Sequence, residues 1–147
     1  RSVVSVDVVS DIVIAAPREQ VAAFAADPDN ATKWYVNIKE VTWETERPLE
    51  VGSRLNFVAQ FLGRRLAYTY EVTEHVPGVR FVMRTSQGPF PMQTTYTWAD
   101  EGAATRMTLR NAGEPAGFAK VSAPMMAAAM RRANGKDLAL LKKVLES

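Results

Sequence analysis

The chain has no cysteine and a single histidine, His75. The first absence excludes disulfides, thiol redox chemistry and cysteine metal sites. The second leaves an ordinary zinc site without its usual imidazoles, so neither metal nor cofactor is expected, and it leaves a Ser-His-Asp triad only one candidate base. No apolar run approaches the 18 or more residues of a membrane helix, and the first residues lack the charged-then-apolar layout of a signal peptide, so the expected location is the cytoplasm. No Gly/Ser linker, repeat or low-complexity segment divides the 147 residues, and by length they make one domain, 1–147. A large excess of one charge is missing too. The 18 Lys and Arg stand against 16 Asp and Glu, and the basic clusters Arg64-Arg65, Arg131-Arg132 and Lys142-Lys143 are mild, so no nucleic-acid partner is expected.

What is present is organised around the last segment, Ser122 to Glu146. At about 100° per residue, Met126, Met130, Ala133, Leu140, Leu141 and Val144 fall within roughly 60° of one line, with Ala129 and Leu145 on its margins. Arg131, Arg132, Lys136, Lys142, Lys143 and Glu146 fall opposite. This spacing predicts a long amphipathic helix that needs a large apolar partner. A start is expected at Ser122-Ala123-Pro124, where Ser122 caps and Pro124 forbids an unbroken helix running through from Pro115.

Almost everything earlier alternates with period two. The strands expected are Val3 to Ile14, Ile38 to Arg47, and five more carrying Leu55-Phe57-Ala59-Phe61, Leu66-Tyr68-Tyr70-Val72, Phe81-Met83-Thr85, Met92-Thr94-Tyr96-Trp98 and Met107-Leu109-Asn111 on one face. Gly63, Pro77-Gly78, Gly88-Pro89 and Asp100-Glu101-Gly102 separate the later ones, and such short connections favour antiparallel neighbours. Pro17, suited to the first helical position, opens a short helix to Asp27-Pro28, and Asp29 to Tyr35 adds another turn or two. A sheet with one wet face must bury the other, and the long helix is available to cover it.

Pro17-x-x-x-Val21-x-x-Phe24-x-x-Asp27-Pro28 followed by Trp34, then Val51-Gly52-Ser53, Pro77-Gly78-Val79-Arg80-Phe81 and the closing Asp137-Leu138-x-x-Leu141-Lys142 resemble the START-like (SRPBCC) superfamily, within it the polyketide cyclase/dehydrase-like group. The resemblance covers essentially the whole chain. It implies an α+β helix-grip fold of the birch pollen allergen type: a curved seven-stranded antiparallel sheet around a long C-terminal helix, two short helices between strands 1 and 2, and an apolar cavity between sheet and helix. The superfamily includes lipid carriers, hormone receptors, cyclases, hydratases and co-chaperones, so these motifs specify fold strongly and chemistry weakly.

The inward parity offers Phe57, Phe61, Tyr68, Tyr70, Phe81, Met83, Met92, Tyr96, Trp98, Met107 and Asn111 as ligand-binding residues, facing Met126, Met130 and Ala133. Aromatics and methionines adapt to apolar ligands, and an alanine-rich helix leaves room for a pocket of a few hundred Å³; the alternative is a packed core with no cavity. Tyr68, Tyr70, Thr94, Tyr96 and Asn111 place polar groups on that face, to orient a ligand or simply to satisfy the backbone. His75, at a strand end beside Pro77-Gly78, reads as a surface histidine. Ser86 to Pro89 and Gly113 to Gly117 are the loops expected at a cavity mouth. Asp137 stands in the middle of the apolar stripe and is costly unless paired or hydrogen-bonded, so it is expected to hold a backbone amide, hydroxyl or arginine, with a catalytic acid as the alternative, and Asp137→Asn to lower the melting temperature.

Three functions follow. One is binding of a small aromatic, polyketide-like or lipid-like molecule. Another is a metal-free cyclase, aromatase or dehydratase using the same cavity, though no catalytic motif is identifiable. The last is a co-chaperone-like interaction module. The expected assembly is a monomer or homodimer.

Overall fold

The computed structural model describes residues 6–88, 90–114 and 122–147. Seven strands, β1 (Val6–Ile14), β2 (Ile38–Trp43), β3 (Arg54–Phe61), β4 (Arg64–Val76), β5 (Arg80–Gln87), β6 (Met92–Glu101) and β7 (Ala104–Gly113), form one antiparallel sheet in the order β1-β7-β6-β5-β4-β3-β2. The consecutive hairpins β3 to β7 follow from the short turns, several closed by a glycine at positive φ such as Gly63 and Gly78. Helix α1 (Arg18–Ala26), a 3₁₀ turn at Pro28–Asn30 and helix α2 (Ala31–Trp34) lie between β1 and β2, and helix α3 (Ala123–Glu146) closes the chain. This is the helix-grip architecture, α+β, that the sequence implies.

Some boundaries differ from the periodicity. Residues 3–5 of the expected first strand lie outside the described residues. Pro17 caps α1 from outside, with extended backbone, instead of occupying its first turn. Strand β2 stops at Trp43, not Arg47, because Glu44 and Thr45 turn toward the start of β3: Glu44 N–H donates to the Arg54 carbonyl at 2.9 Å and Arg54 N–H to Thr45 Oγ1 at 3.0 Å. Ser122 does cap α3, its hydroxyl accepting from Met125 N–H at 3.4 Å. The path from Pro115 to Val121 lies outside the described residues.

The buried positions of α3 are Met126, Met130, Asn134, Asp137, Leu138 and Leu141. Their centre lies roughly 50° around the helix from the expected line, so Ala133, Leu140 and Val144 are only half-buried while Asn134 and Leu138 turn inward. The cause is α2: Trp34, fully buried, fills the space beneath the later turns of α3 and joins the main core with Leu138 and Leu141. Two ties fix the C-terminal end of α3 to β1 and the residue after it. Lys142 Nζ donates to the Val13 carbonyl at 2.9 Å, and Ala15 N–H donates to the Glu146 carboxylate at 2.6 Å.

The core divides into two clusters. The larger holds Trp34, Leu55, Phe81, Tyr96, Trp98, Met107, Leu109, Leu138 and Leu141 under α1 and α2. The smaller holds Val6, Val8, Leu66, Met92, Met126 and Met130 under the first turns of α3. On the outer face Arg106 pairs with Glu101 at 3.0 Å and Arg110 with Asp7, exposed bridges of the kind that contribute little.

Two glycines test this packing from opposite sides. Gly113 ends β7 between Val6 and Met92, and a Cβ there would run into the Pro91 carbonyl oxygen and the Met92 sulfur. Backbone cannot yield as a side chain can, so Gly113→Ala should destabilise by about 1–3 kcal/mol. Gly135 is exposed in mid-helix with open space around it, so Gly135→Ala should stabilise by about 0.5–1 kcal/mol. Thermal denaturation of both variants decides; equal shifts of the same sign would show that the β7 end is not closely packed.

Candidate functional site

Between the first four turns of α3 and the sheet lies a cavity of about 160 Å³. Of the residues expected to line it, Phe57 and Phe61 (β3), Tyr68 and Tyr70 (β4), Met83 (β5), Met92 (β6), Asn111 (β7) and Met126, Met130 and Ala133 (α3) do so. The other four do not. Phe81 and Tyr96 wall a separate void of about 10 Å³ with Leu55 and Tyr35, Trp98 lines an outer groove by α1, and Met107 is fully buried in the larger cluster. They share parity with the lining residues but sit further along their strands, where α1 and α2 cover the sheet. Parity sets the face and not the height.

The cavity is also smaller than the few hundred Å³ expected, because large side chains occupy its ends. The Tyr68 ring meets Phe90 edge-on at 5.8 Å, and Tyr70 meets Phe57 edge-on at 5.6 Å. A Cβ on Gly88 would stand 2.5 Å from the Tyr68 ring, so the glycine at that expected mouth lets the tyrosine lie flat against the wall. Pro89 and residues 115–117 of the two mouth loops lie outside the described residues.

The parity pattern missed Tyr35, Asn37, Ile38, Phe90 and Asn134 on the wall. Asn134 carries the most chemistry. Thr94 Oγ1 donates to Asn111 Oδ1 at 2.7 Å, Asn111 Nδ2 donates to Asn134 Oδ1 at 3.1 Å, and Asn134 Nδ2 is buried with no partner. The signal was present in the sequence, since Asn134 lies four residues from both Met130 and Leu138 on one helical ridge.

One turn on, Asp137 lies on the same wall, only 3% exposed, and its Oδ1 accepts the Val36 N–H at 2.8 Å. That is the backbone amide expected for it, supplied by the chain leaving α2. Burial pushes its carboxyl up to about 7, and the Val36 bond only partly offsets this. Beside it the Tyr35 and Tyr96 hydroxyls are hydrogen-bonded to each other, and burial raises both well above the ordinary phenol range. Burial likewise raises Tyr70 to about 12. These phenols therefore stay protonated at neutral pH and act as hydrogen-bonding groups, not as bases.

His75 is remote from this. It lies near the end of β4, half-buried, with its ring edge-on to Phe81 at 5.6 Å, and burial lowers its pKa. Among the described residues no three His, Asp or Glu side chains gather as a metal site, and no helix is long and apolar enough to cross a membrane.

Comparison with solved structures gives the same architecture at low identity. A START superfamily protein from Mycobacterium smegmatis superposes with a TM-score of 0.84 at 16% identity, covering 95% of this chain and 97% of that one. The Zhui aromatase/cyclase from Streptomyces sp. R1128 gives 0.79 at 17%, with 97% and 94% covered. The ginseng major latex-like protein 151 from Panax ginseng gives 0.78 at 8%, with 97% and 98% covered. No curated protein sequence matches significantly. At such identities the likeness carries the fold alone, but the model of one family matches residues 5–146. The chain thus belongs to the polyketide cyclase/dehydrase and lipid transport family.

Proposed function

We propose that this protein binds a small hydrophobic molecule in the cavity under the first turns of α3. The observation that carries the reading is the wall itself: an apolar hollow of aromatic and methionine side chains into which a few polar groups, the buried Asn134 and Asp137 and the half-buried Tyr70, are set. A continuous apolar lining with a small number of placed polar groups is how ligand sites are built. Apolar cavities of about 150 Å³ hold benzene, so one ring or a compact fused pair fits without rearrangement. Methionines 92, 126 and 130 supply three flexible side chains that can repack around something larger.

The test is titration with naphthalene, followed by its fluorescence. Binding should saturate near one to one and raise the melting temperature, by about 2.7 kcal/mol of added stability at a hundredfold excess over Kd. Absence of saturable binding, with no thermal shift, would refute the reading.

A second reading rests on Asp137. A buried carboxyl that titrates near neutrality on a cavity wall is suited to proton transfer, and a cyclase or dehydratase would use it as general acid. Binding is preferred because Asp137 already has a structural partner in Val36 N–H and, among the described residues, no second carboxyl or imidazole lies on the cavity wall.

A further inference from the structure

The cavity has a polar end whose donors and acceptors define more than an apolar guest. Resting on the binding function proposed above, we propose that its ligand is a small ring compound bearing a hydroxyl, and that this hydroxyl bridges Asn134 and Asp137 on α3.

Asn134 and Asp137 are three residues apart, so their side chains leave the same helical face with Cβ atoms about 5–6 Å apart. Both are almost fully buried and both line the cavity. Each has one half spent and one half free. Asn134 Oδ1 accepts from Asn111 while its Nδ2 donates to nothing. Asp137 Oδ1 accepts from Val36 N–H, and no described residue donates to its Oδ2. A buried amide N–H without a protein partner is costly and rare in a folded protein, so the Asn134 amide is the donor on this wall that a polar group of a ligand would satisfy.

The chemistry of the pair selects among occupants. An ammonium would suit the carboxylate but would face the Asn134 N–H groups. A carbonyl would accept from Asn134 but would meet a second donor only when Asp137 holds its proton. A hydroxyl accepts from Asn134 and donates to Asp137, and it also fits the protonated carboxyl, because it both donates and accepts. It fits the reversed relay as well. With both amides turned over, Asn134 offers Oδ1 in place of Nδ2, and the hydroxyl donates there and accepts from Asp137 when that carboxyl holds its proton. The volume of about 160 Å³ limits the rest of the molecule to one ring with short substituents or a compact fused pair.

Phenol and toluene have nearly the same shape and separate this inference from the one beneath it. In a cavity without polar function, burying the hydroxyl is a penalty and toluene binds tighter, by roughly tenfold. With the bridge in place phenol should bind at least tenfold tighter than toluene. Asn134→Leu should abolish that preference. The side-chain amide resonances of Asn134 in the unaltered protein should shift with phenol and not with toluene, which gives a readout even if the leucine variant fails to fold. Saturable binding of both compounds with toluene the tighter, or an Asn134 amide indifferent to phenol, would overturn the hydroxyl bridge and leave the cavity function standing. Binding of neither compound would overturn both.

Discussion

Asp137→Asn should make the protein more stable than the unaltered one above pH 7 and leave it about equal near pH 4. The folded carboxyl titrates near 7, against 3.8 for the unperturbed group. A raised carboxyl pKa means that between about pH 4 and 7 the folded state holds a proton that the unfolded state has lost. Stability from this residue is therefore complete below pH 4, falls as pH rises through 7, and is flat above. About three units at 1.36 kcal/mol each set an upper limit of about 4 kcal/mol on the loss. Asparagine keeps a carbonyl oxygen for the Val36 N–H and carries no charge to bury. The difference in unfolding free energy between the two proteins, measured by denaturant titration from pH 4 to 8, isolates this residue. Groups such as Asp7, Asp29 and Glu146, whose pKa values are lowered by their bonds to Arg110, Trp43 and Lys142, cancel in the difference. Parallel curves would show that folding does not shift this carboxyl, and an asparagine variant weaker at pH 8 would show that the carboxylate is stabilising when charged. The expectation from sequence alone was the reverse. Both the burial and the hydrogen bond were foreseen; that one backbone N–H only partly offsets the burial was not visible.

Ala133→Trp should remove ligand binding and leave a folded protein. Ala133 is half-buried and lines the cavity from α3, and the added ring is comparable with the roughly 160 Å³ available. Naphthalene affinity should fall at least a hundredfold, while the stability cost stays at or below the roughly 1–3 kcal/mol of ordinary overpacking. In a solid core the same substitution would have no volume to enter and would cost considerably more. Retained naphthalene binding in a folded variant would place the binding site elsewhere. Loss of folding would show that the methionines do not leave usable space.

The sheet was legible in the sequence almost strand by strand, because alternation and turn residues are local signals and the meander from β2 to β7 uses only local connections; β1 alone pairs at long range, with β7. The height of each side chain along its strand was not. Phe81, Tyr96, Trp98 and Met107 have the same parity as the cavity residues, and only the placement of α1 and α2 over them decides that they are core. The rotation of α3 was hidden for a related reason. Val144 lay at the centre of the apolar stripe, yet it is half-buried because Trp34 sets which side of the helix meets the core. Asn134 was overlooked since polar residues on a helix default to the solvent side, although its spacing from Met130 and Leu138 argued otherwise.

The two ends of α3 are held in unequal ways. Near Glu146 the helix is fastened by the bonds to Val13 and Ala15 and by Leu138 and Leu141 packed against the core. Near Ser122 it rests through Met126 and Met130 on the smaller core cluster, beside the cavity. Mechanically this is a cantilever, clamped at one end and supported at the other by soft material. Bending strain in such a beam concentrates at the clamp while displacement is largest at the free end. A guest wider than the cavity would therefore be accommodated by a small rise of the first turns of α3 and not by separation of the strands.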